Sequence, residues 1–482
     1  DFNTAIGYTA LYSISGSDGT EGESNTAVGY RAGYSTTTGN FNEFYGSSAG
    51  YENTTGQSNV MIGSSAGQNN TIGSNNIYIG YQSGIFQVAK GENVAIGTGG
   101  LYGASGEASS TEASVAIGFQ AARGSSAGVG LTAVGRGALR NVSDSGSYSV
   151  AVGYNSGYYA TGSYNTFVGG YAGTGGTTSA PYSSGENNVA IGYQALDGFT
   201  TGGTNVAVGS SALGALTTAI ENVAIGHEAL DSATTNGYNT VIGFNAGKGA
   251  SNANYTYNVL IGRNSGKKSS GDGGDSIYNV GIGNDTLTGL AGGDRNNCIG
   301  RAAGDSITTG ARNQLIGVGT DISAVNGQHQ IVIGDELVGT ANNRVHLGNS
   351  TSHIYNDYNS NATWTHSSDE RQKKEIKDDT LGLDFINDIR PVTYKHKSPS
   401  EFPKEWNAYN ADDKRAMGGD KKIHGLIAQE VEQLIPAIVH EGREHEDNIK
   451  YKGVQASVLP YILIKAIQEL KAEFDSYKET HP

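Results

Sequence analysis

The sequence predicts a mainly β protein: an elongated trimeric β-solenoid shaft of about 17-residue repeats, followed by a small α+β domain that ends in a long coiled-coil-like helix. Three observations predict this fold class. A short motif recurs throughout the first 350 residues. Glycine makes up 73 of 482 residues and hydrophobic residues only 36%, a composition unsuited to one large core. The composition then changes abruptly at Ser367.

The repeated motif is N-x-x-[IV]-G, and most copies are 17 residues apart. Longer intervals contain Gly, Ser and Thr insertions, which predict surface loops on a fixed frame. Asparagine opens 15 of the 20 copies. The closing glycines are Gly7, Gly29, Gly46, Gly63, Gly80, Gly97, Gly118, Gly135, Gly153, Gly169, Gly192, Gly209, Gly226, Gly243, Gly262, Gly283, Gly300, Gly317, Gly334 and Gly348.

One copy, residues 222–226, shows why the repeats should stack. Val223 and Ile225 point to one side of a strand and Ala224 to the other. We expect the Val and Ile side chains to form an apolar ridge that is too narrow to bury itself, so that copies stack as parallel coils. The opening asparagine is expected to stack on its equivalent in the next coil, and the glycine to provide a positive φ or a close backbone approach. The small pair that follows, such as Ala66-Gly67, predicts a second short strand or a corner.

The 28 tyrosines indicate that several chains assemble, because coils of this size have little room for them. Many directly follow the glycine, and we expect them to pack between the chains of a homotrimer: Tyr8, Tyr30, Tyr81, Tyr154 and Tyr193. Residues 1–350 resemble the head repeats of trimeric autotransporter adhesins and the glycine-rich shafts of phage tail fibres.

Composition divides the chain into three parts: a shaft at 1–350, a connector at 351–367, and a C-terminal domain at 368–482. Charged residues number 37 in the 367 residues before Ser368 and 40 in the 115 that follow, whereas glycine falls from 67 to 6. The net charge of −15 argues against nucleic acid as the main partner. The absence of a long apolar run predicts no membrane insertion. No cofactor and no metal site are expected. The chain starts inside a repeat, so we expect it to be part of a longer protein.

The C-terminal part predicts a mixture of helices and strands. We expect a helix at Leu381–Ile389, a strand at Val392–Tyr394, a loop at 398–422, a strand-to-helix passage at Leu426–Ile435, strands at Ala437–Val439 and Ile449–Tyr451, and a last helix from near Val454. The last helix has apolar residues at steps of 4, 3, 4 and 3: Leu463, Ile467, Leu470, Phe474 and Tyr477. This spacing is typical of a coiled-coil seam. The alternative is a helix that lies on its own domain.

Four ordered blocks carry a more specific resemblance: S-D-E-R-Q-K-K-E-I from Ser368, G-L-D-F-I-N-D-I-R-P-V-T-Y-K from Gly382, H-G-L-I-A-Q-E-V-E from His424 and I-K-Y-K-G-V from Ile449. They are similar to the endosialidase-type intramolecular chaperone domain. The resemblance implies a domain that ends phage tail fibres and tailspikes, trimerises the chain, lets the shaft fold and then cuts itself off. It implies cleavage between Ser367 and Ser368, with Ser368 as nucleophile and Lys373 as base.

This chemistry sets conditions on the two residues. A lysine acts as a base only as the neutral amine, so burial or nearby cations must lower its pKa, and Arg371 is close enough in sequence to contribute. Asp369 is expected to be a helix cap or an ion-pair partner. Residues five apart on a helix point about 140° apart, so we expect Ser368 on an extended or turn segment and Lys373 at a helix start.

The sequence therefore predicts a viral tail fibre: a virion appendage, assembled in the host cytoplasm, that binds a host-surface polysaccharide or protein receptor and other virion tail proteins. Two alternatives remain open. One is a polysaccharide-degrading tailspike with an active site in the inserted loops or between chains. The other is a bacterial trimeric surface adhesin, which would require a membrane anchor.

Overall fold

The computed structural model describes residues 2–15, 21–103, 111–125, 128–142, 147–179, 182–250, 254–268, 274–358, 365–366, 373–404, 409–415, 421–441 and 452–481. The chain divides into two compact units, Asp1–Ser367 and Ser368–Pro482. Among the helices in these ranges, none has the length and hydropathy of a membrane span.

The first unit is a β-solenoid, which confirms the predicted mainly β fold class. Each predicted copy contributes one short strand, and neighbouring strands pair in parallel and in register, as Val206 pairs with Val223 and Val223 with Thr240. The parallel strands are β1 Thr4–Ile6, β2 Thr26–Val28, β3 Glu43–Tyr45, β4 Val60–Ile62, β5 Ile77–Ile79, β6 Val94–Ile96, β7 Val115–Ile117, β8 Thr132–Val134, β9 Val150–Val152, β10 Thr166–Val168, β11 Val189–Ile191, β12 Val206–Val208, β13 Val223–Ile225, β14 Thr240–Ile242, β15 Val259–Ile261, β16 Val280–Ile282, β17 Asn297–Ile299, β18 Gln314–Ile316, β19 Ile331–Asp335 and β20 Arg344–Asn349.

A ladder of buried asparagines connects the coils, as the stacking prediction requires. The Oδ1 atom of Asn205 accepts hydrogen bonds from the backbone N–H of Asn222 at 3.0 Å and from its side-chain amide at 3.1 Å. Where serine replaces asparagine, the hydroxyl takes over the acceptor role: Ser114 Oγ accepts from the backbone N–H of Leu131 at 3.1 Å. The ladder therefore fixes the register of each coil on the preceding one.

The structure shows which side of each strand faces the interior, a point that the alternation of residues did not decide. The middle residue faces the interior, so Ala224 is fully buried, whereas Ile225 is 37% exposed. The reason is the small volume of the coil interior. A large middle residue fits only where the corner residue that faces it is a glycine, which has no side chain. Phe44 is such a case: a Cβ added at Gly50 would lie 2.3 Å from its ring. In most strands the β-branched first and third residues are therefore on the outside of the coil, although Val241 and Val332 are buried middle residues.

The motif glycine provides both properties expected of it. Gly226 has a φ of +138°, and a Cβ there would lie 2.3 Å from the carbonyl oxygen of Gly243 in the next coil. The later small pair forms a corner rather than a second strand: Ala66 is buried and Gly67 has a φ of +54° in a turn. Each coil thus has one strand and a series of tight corners.

Two antiparallel strands follow the parallel stack, within the segment expected to be a connector. β21 (His353–Asp357) pairs antiparallel with β20, and β22 (Thr365–His366) pairs antiparallel with β21. The side chain of Asn349 shapes the turn between β20 and β21, because its Oδ1 accepts from the backbone N–H groups of Thr351 and Ser352. The last parallel strand is therefore paired on both sides.

The second unit is a small α+β domain. Its elements are α1 Leu383–Asp388, β23 Val392–Tyr394, a 3₁₀ turn at Pro399–Glu401, β24 Ile423–Gly425, α2 Ala428–Leu434, a 3₁₀ turn at Pro436–Ile438, β25 Val439–Glu441, β26 Lys452–Val454, a 3₁₀ turn at Ala456–Val458, and α3 Leu459–Thr480. β23 pairs with β24, and β25 with β26, both antiparallel. Phe385, Val431 and Ile462 are in its small core.

Some element boundaries in the described part of this domain differ from the sequence prediction. The segment predicted as a strand at Ala437–Val439 begins as a 3₁₀ turn, which Pro436 at its first position favours, and the strand starts only at Val439. The strand predicted at Ile449–Tyr451 falls outside the described residues, and β26 begins directly after it. The last helix starts at Leu459 instead of near Val454.

Candidate functional site

The predicted cleavage residues lie mostly outside the described residues. Ser367, Ser368, Asp369 and Arg371 belong to that group. Lys373 is described, and its side chain is exposed. The expectation that Lys373 stands at a helix start is wrong, because the chain from Lys373 to Gly382 has no helical turn and α1 begins at Leu383. The Ser368–Lys373 pair stays a prediction.

The residues on the upstream side of the predicted cut are held by the shaft. The backbone of Thr365 pairs with Tyr355, and that of His366 with Ile354. β22 therefore brings the chain to Ser367 in an extended conformation.

Downstream of the predicted cut, the second and third sequence blocks meet in space. β23 and β24 place Thr393 beside His424. The Arg390 guanidinium contacts the Glu430 carboxylate, with Nε donating to Oε2 at 3.1 Å. This contact lowers the pKa of Glu430 below its usual value. Motif residues that are 40 positions apart thus form one ion pair on the surface of α2.

The third and fourth blocks are also joined. The Lys452 ammonium contacts the Glu432 carboxylate, and β26 pairs with β25 through His440 and Gly453. The His440 ring is also 3.1 Å from the side-chain oxygen of Gln455. Three of the four blocks therefore assemble around α2, whereas most of the first block lies outside the described residues.

Sequence reasoning missed the role of Glu469 on α3. Its carboxylate accepts a hydrogen bond from the backbone N–H of Leu383 at 2.7 Å and so caps α1. Gly382 makes room for it, since a Cβ there would lie 2.0 Å from Glu469 Oε2. The glycine that opens the second block was the available signal. Through this contact the last helix is fastened to the first helix of the domain.

Two faces of α3 have different surroundings, and the coiled-coil seam stays a prediction. Ile462 and Ala466 are buried against the domain. The residues with coiled-coil spacing point away from it and are exposed by 44 to 64%: Leu463, Ile467, Leu470, Phe474 and Tyr477. α3 therefore presents an apolar seam that none of the described residues covers.

Comparison with known families agrees with this assembly of blocks. Residues 368–440 match the family described as chaperone of endosialidase. This match supports a C-terminal chaperone domain. It starts at Ser368, the residue at which the second compact unit also starts. No curated protein and no solved structure matches the chain. The chaperone domain, residues 368–482, thus contains the family match in its first part and α3 beyond it.

Proposed function

We propose that this protein is a trimeric fibre of the tail-fibre or tailspike type, an adhesion appendage of a virion. Its chaperone domain drives trimerisation and folding of the shaft and then releases itself by cleavage between Ser367 and Ser368. The observation that carries the proposal is the coincidence at Ser368, where the family match and the second compact unit both begin. A detachable domain needs such a boundary.

The outer face of the solenoid supports assembly with further copies of the chain. The third residue of most strands is a partly exposed Ile or Val, and together these residues form the strand-face stripe: Ile62, Ile96, Ile117, Val152, Val168, Ile191, Ile225, Ile282, Ile299, Ile316 and Ile333. An apolar stripe of this length marks an interaction surface. The partner that fits this stripe best is another copy of the same chain, because a partner with the same coil spacing can place one apolar residue against each residue of the stripe.

The seam on α3 provides the surface through which the copies first associate. A short helix can associate through a coiled-coil seam without any long-range pairing within its own chain. The shaft, by contrast, has a core of small side chains, and three of its chains would have to align over many coils. A trimeric helix bundle holds the three chains together and sets their register before the shaft folds. The product is a homotrimer.

The cleavage is a single turnover at the boundary of the two units. The Ser368 hydroxyl oxygen attacks the carbonyl carbon of Ser367, while the neutral Lys373 amine takes the hydroxyl proton and passes it to the leaving nitrogen. The peptide C–N bond breaks and an ester forms, which water then hydrolyses. Lys373 is exposed in the single chain. A lysine amine loses its proton readily only when buried or near other cations, so we propose that assembly of the trimer completes the site.

After release, the shaft remains as the functional fibre. Its long exposed surface contacts a host-surface polysaccharide or protein receptor, and it joins other virion tail proteins after assembly in the host cytoplasm. The stacked tyrosines support the adhesion role. Tyr238, Tyr257 and Tyr278 are exposed and lie with ring centres 4.9 and 5.0 Å apart. Such rows of aromatic rings bearing hydroxyl groups are common in binding surfaces.

The test is the mass of the freshly expressed protein under denaturing conditions. We expect two fragments, of 367 and 115 residues. Ser368→Ala and Lys373→Met should each give the intact chain of 482 residues, still trimeric by sedimentation. The neighbouring variants Ser367→Ala and Lys374→Met are matched controls that should still be cut. Cleavage of the Ser368→Ala chain would refute the mechanism, and a monomeric wild-type protein would refute the fibre.

A further inference from the structure

Three neighbouring coils in the middle of the shaft form a cleft whose residues have no role in trimerisation or cleavage as proposed above. Arg136 and Arg140 follow β8, Phe119 follows β7, and Tyr154 and Tyr158 follow β9. The guanidinium carbon of Arg136 lies 5.5 Å from the ring centres of both Phe119 and Tyr154. That of Arg140 lies 5.2 Å from the ring centre of Tyr158. These side chains line one shallow cleft, which we call the arginine cleft.

The two guanidinium groups keep unused hydrogen-bonding capacity. Arg136 Nη1 donates to the Tyr154 hydroxyl at 3.3 Å, and Arg140 Nη1 donates to the Tyr158 hydroxyl. The Nε atom of Arg140 is buried without a partner. Neither arginine forms an ion pair with any carboxylate among the described residues. A guanidinium has five N–H donors, so donors remain for an acceptor from outside the chain.

The charge around the arginine cleft differs from that of the rest of the shaft. Between Ala113 and Gly185 the chain has three arginines and one aspartate, Asp144, which lies outside the described residues. Up to Ser367 the chain as a whole has 13 basic and 24 acidic residues. A local excess of positive charge on an otherwise acidic protein attracts an anion to that place.

We propose that the arginine cleft binds the carboxylate of an acidic sugar in a host-surface polysaccharide; this rests on the proposed adhesion role. A guanidinium matches a carboxylate with two parallel hydrogen bonds. The half-exposed rings of Phe119 and Tyr154 flank the charge and offer apolar surface to the C–H groups of a sugar ring. A lone phosphate would leave these rings without a contact.

The chain contains its own control position. Arg301 follows Gly300 as Arg136 follows Gly135, and Arg301 is exposed. In the coils on either side of it, Asn284 and Val318 occupy the positions that Phe119 and Tyr154 occupy around Arg136. Arg301 therefore has the same place in the coil, but the equivalent described positions around it hold no aromatic ring and no second arginine.

The experiment is calorimetric titration of the full-length protein with an oligogalacturonate and with the same oligomer fully methyl-esterified. The ester removes the charge and keeps the sugar rings. We expect the wild type to bind the acid form and not the ester. Arg136→Gln and Arg140→Gln should each weaken binding about tenfold or more, in line with the loss of a charge-assisted hydrogen bond. Arg301→Gln should bind like the wild type.

Four outcomes with the purified protein would overturn the proposal. These are no binding of oligogalacturonate or of a glucuronate oligomer by the wild type, equal binding of acid and ester, an equal loss in Arg301→Gln, and dissociation of the trimer in Arg136→Gln or Arg140→Gln. The last result would mean that the arginines hold the copies of the chain together. Adhesion of the wild-type fibre to bacterial cells is measured separately. Adhesion that persists in both cleft variants refutes the acidic-sugar site and leaves the proposed adhesion role intact.

Discussion

Asn239 donates two hydrogen bonds to a single atom of Asn222, since its backbone N–H and its side-chain amide both reach Asn222 Oδ1 at 3.1 Å. Both side chains are buried. A buried donor that loses its acceptor costs about 1 to 3 kcal/mol. The stability of one coil therefore depends directly on the side chain of the coil before it.

Replacing Asn222 by alanine should weaken the shaft. The change leaves the backbone N–H of Asn239 without its acceptor, although the side-chain amide of Asn239 keeps its bonds to the carbonyls of Gly237 and Tyr255. It also removes the bond that Asn222 donates to the carbonyl of Asn236. We expect the free energy of unfolding to fall by about 2 to 4 kcal/mol per chain, measured by urea denaturation. Asn222→Ser is the matched control, because a serine hydroxyl accepts from the next coil at Ser114. Equal losses in the two variants would contradict the acceptor role.

Gly226→Ala should prevent the coil from closing. Its φ of +138° lies in a region that other residues avoid, and the new Cβ would meet the Gly243 carbonyl oxygen at 2.3 Å. We expect a loss of more than about 3 kcal/mol, seen as a collapse of soluble, folded protein. Gly100→Ala is the control, since a Cβ there has no neighbour nearer than 3.6 Å. A well-folded Gly226→Ala protein would refute the close stacking of the glycine corners.

Ile225→Lys tests the strand-face stripe. The side chain points out of the coil, so the shaft of a single chain should keep its fold. In a trimer, each chain would place an ammonium in an apolar contact, and we expect association to weaken about tenfold or more. Analytical ultracentrifugation measures the monomer–trimer equilibrium. Ile72→Lys, on an exposed residue outside the strands, should leave the trimer unchanged; if both variants behave alike, the stripe is not the interface.

The sequence predicted the repeat, the parallel stacking, the asparagine ladder and the glycine corners, because each depends on residue types that recur at one spacing. It did not predict which side of the strand faces inward. Alternation in Val223-Ala224-Ile225 separates two faces but does not say which is buried, and hydrophobicity alone favours the wrong one. The answer depends on interior volume, which only the closed coil defines.

In the chaperone domain, the four blocks and the β23 strand followed from sequence, whereas the contact between Glu469 and Leu383 did not. These two residues are 86 positions apart, and no local pattern connects them. The position of Lys373 was also misjudged. The requirement that Ser368 and Lys373 meet suggested a helix start at Lys373, but the first described helix of the domain begins ten residues later, at Leu383.

Ile467→Asp should block assembly at the α3 seam. Ile467 is 64% exposed and makes no part of the domain core, so the domain itself should still fold. Carboxylates in a trimeric seam repel one another and lose water, so we expect monomers, no cleavage and an aggregated shaft. Sedimentation and denaturing gels measure these effects. Ser476→Asp, on the same helix but outside the seam, should assemble and cleave normally. A trimeric, cleaved Ile467→Asp protein would show that α3 does not nucleate the fibre.

The last prediction concerns the stability of the last strands of the shaft, β20 and β21, at acidic pH. His346 on β20 is buried, and the backbone N–H of Thr340 lies 3.3 Å from its Nε2. Burial lowers the pKa of the imidazole to about 4, and the positive charges of His353 and Arg344 act in the same direction. A group with a lowered folded-state pKa stabilises the fold above its unfolded pKa of about 6.5, and this contribution disappears as the pH falls towards 4.

We therefore expect amide hydrogens of β20 and β21 to exchange on the order of a hundredfold faster at pH 4.5 than at pH 7, after correction for the intrinsic rate, because pH 4.5 is about two units below the unfolded pKa and still above the folded one. His346→Gln keeps an acceptor for Thr340 but does not titrate, so its exchange should change much less over this range. His227→Gln, at an exposed histidine, should behave like the wild type. An unchanged acid response in His346→Gln would assign the effect to other groups.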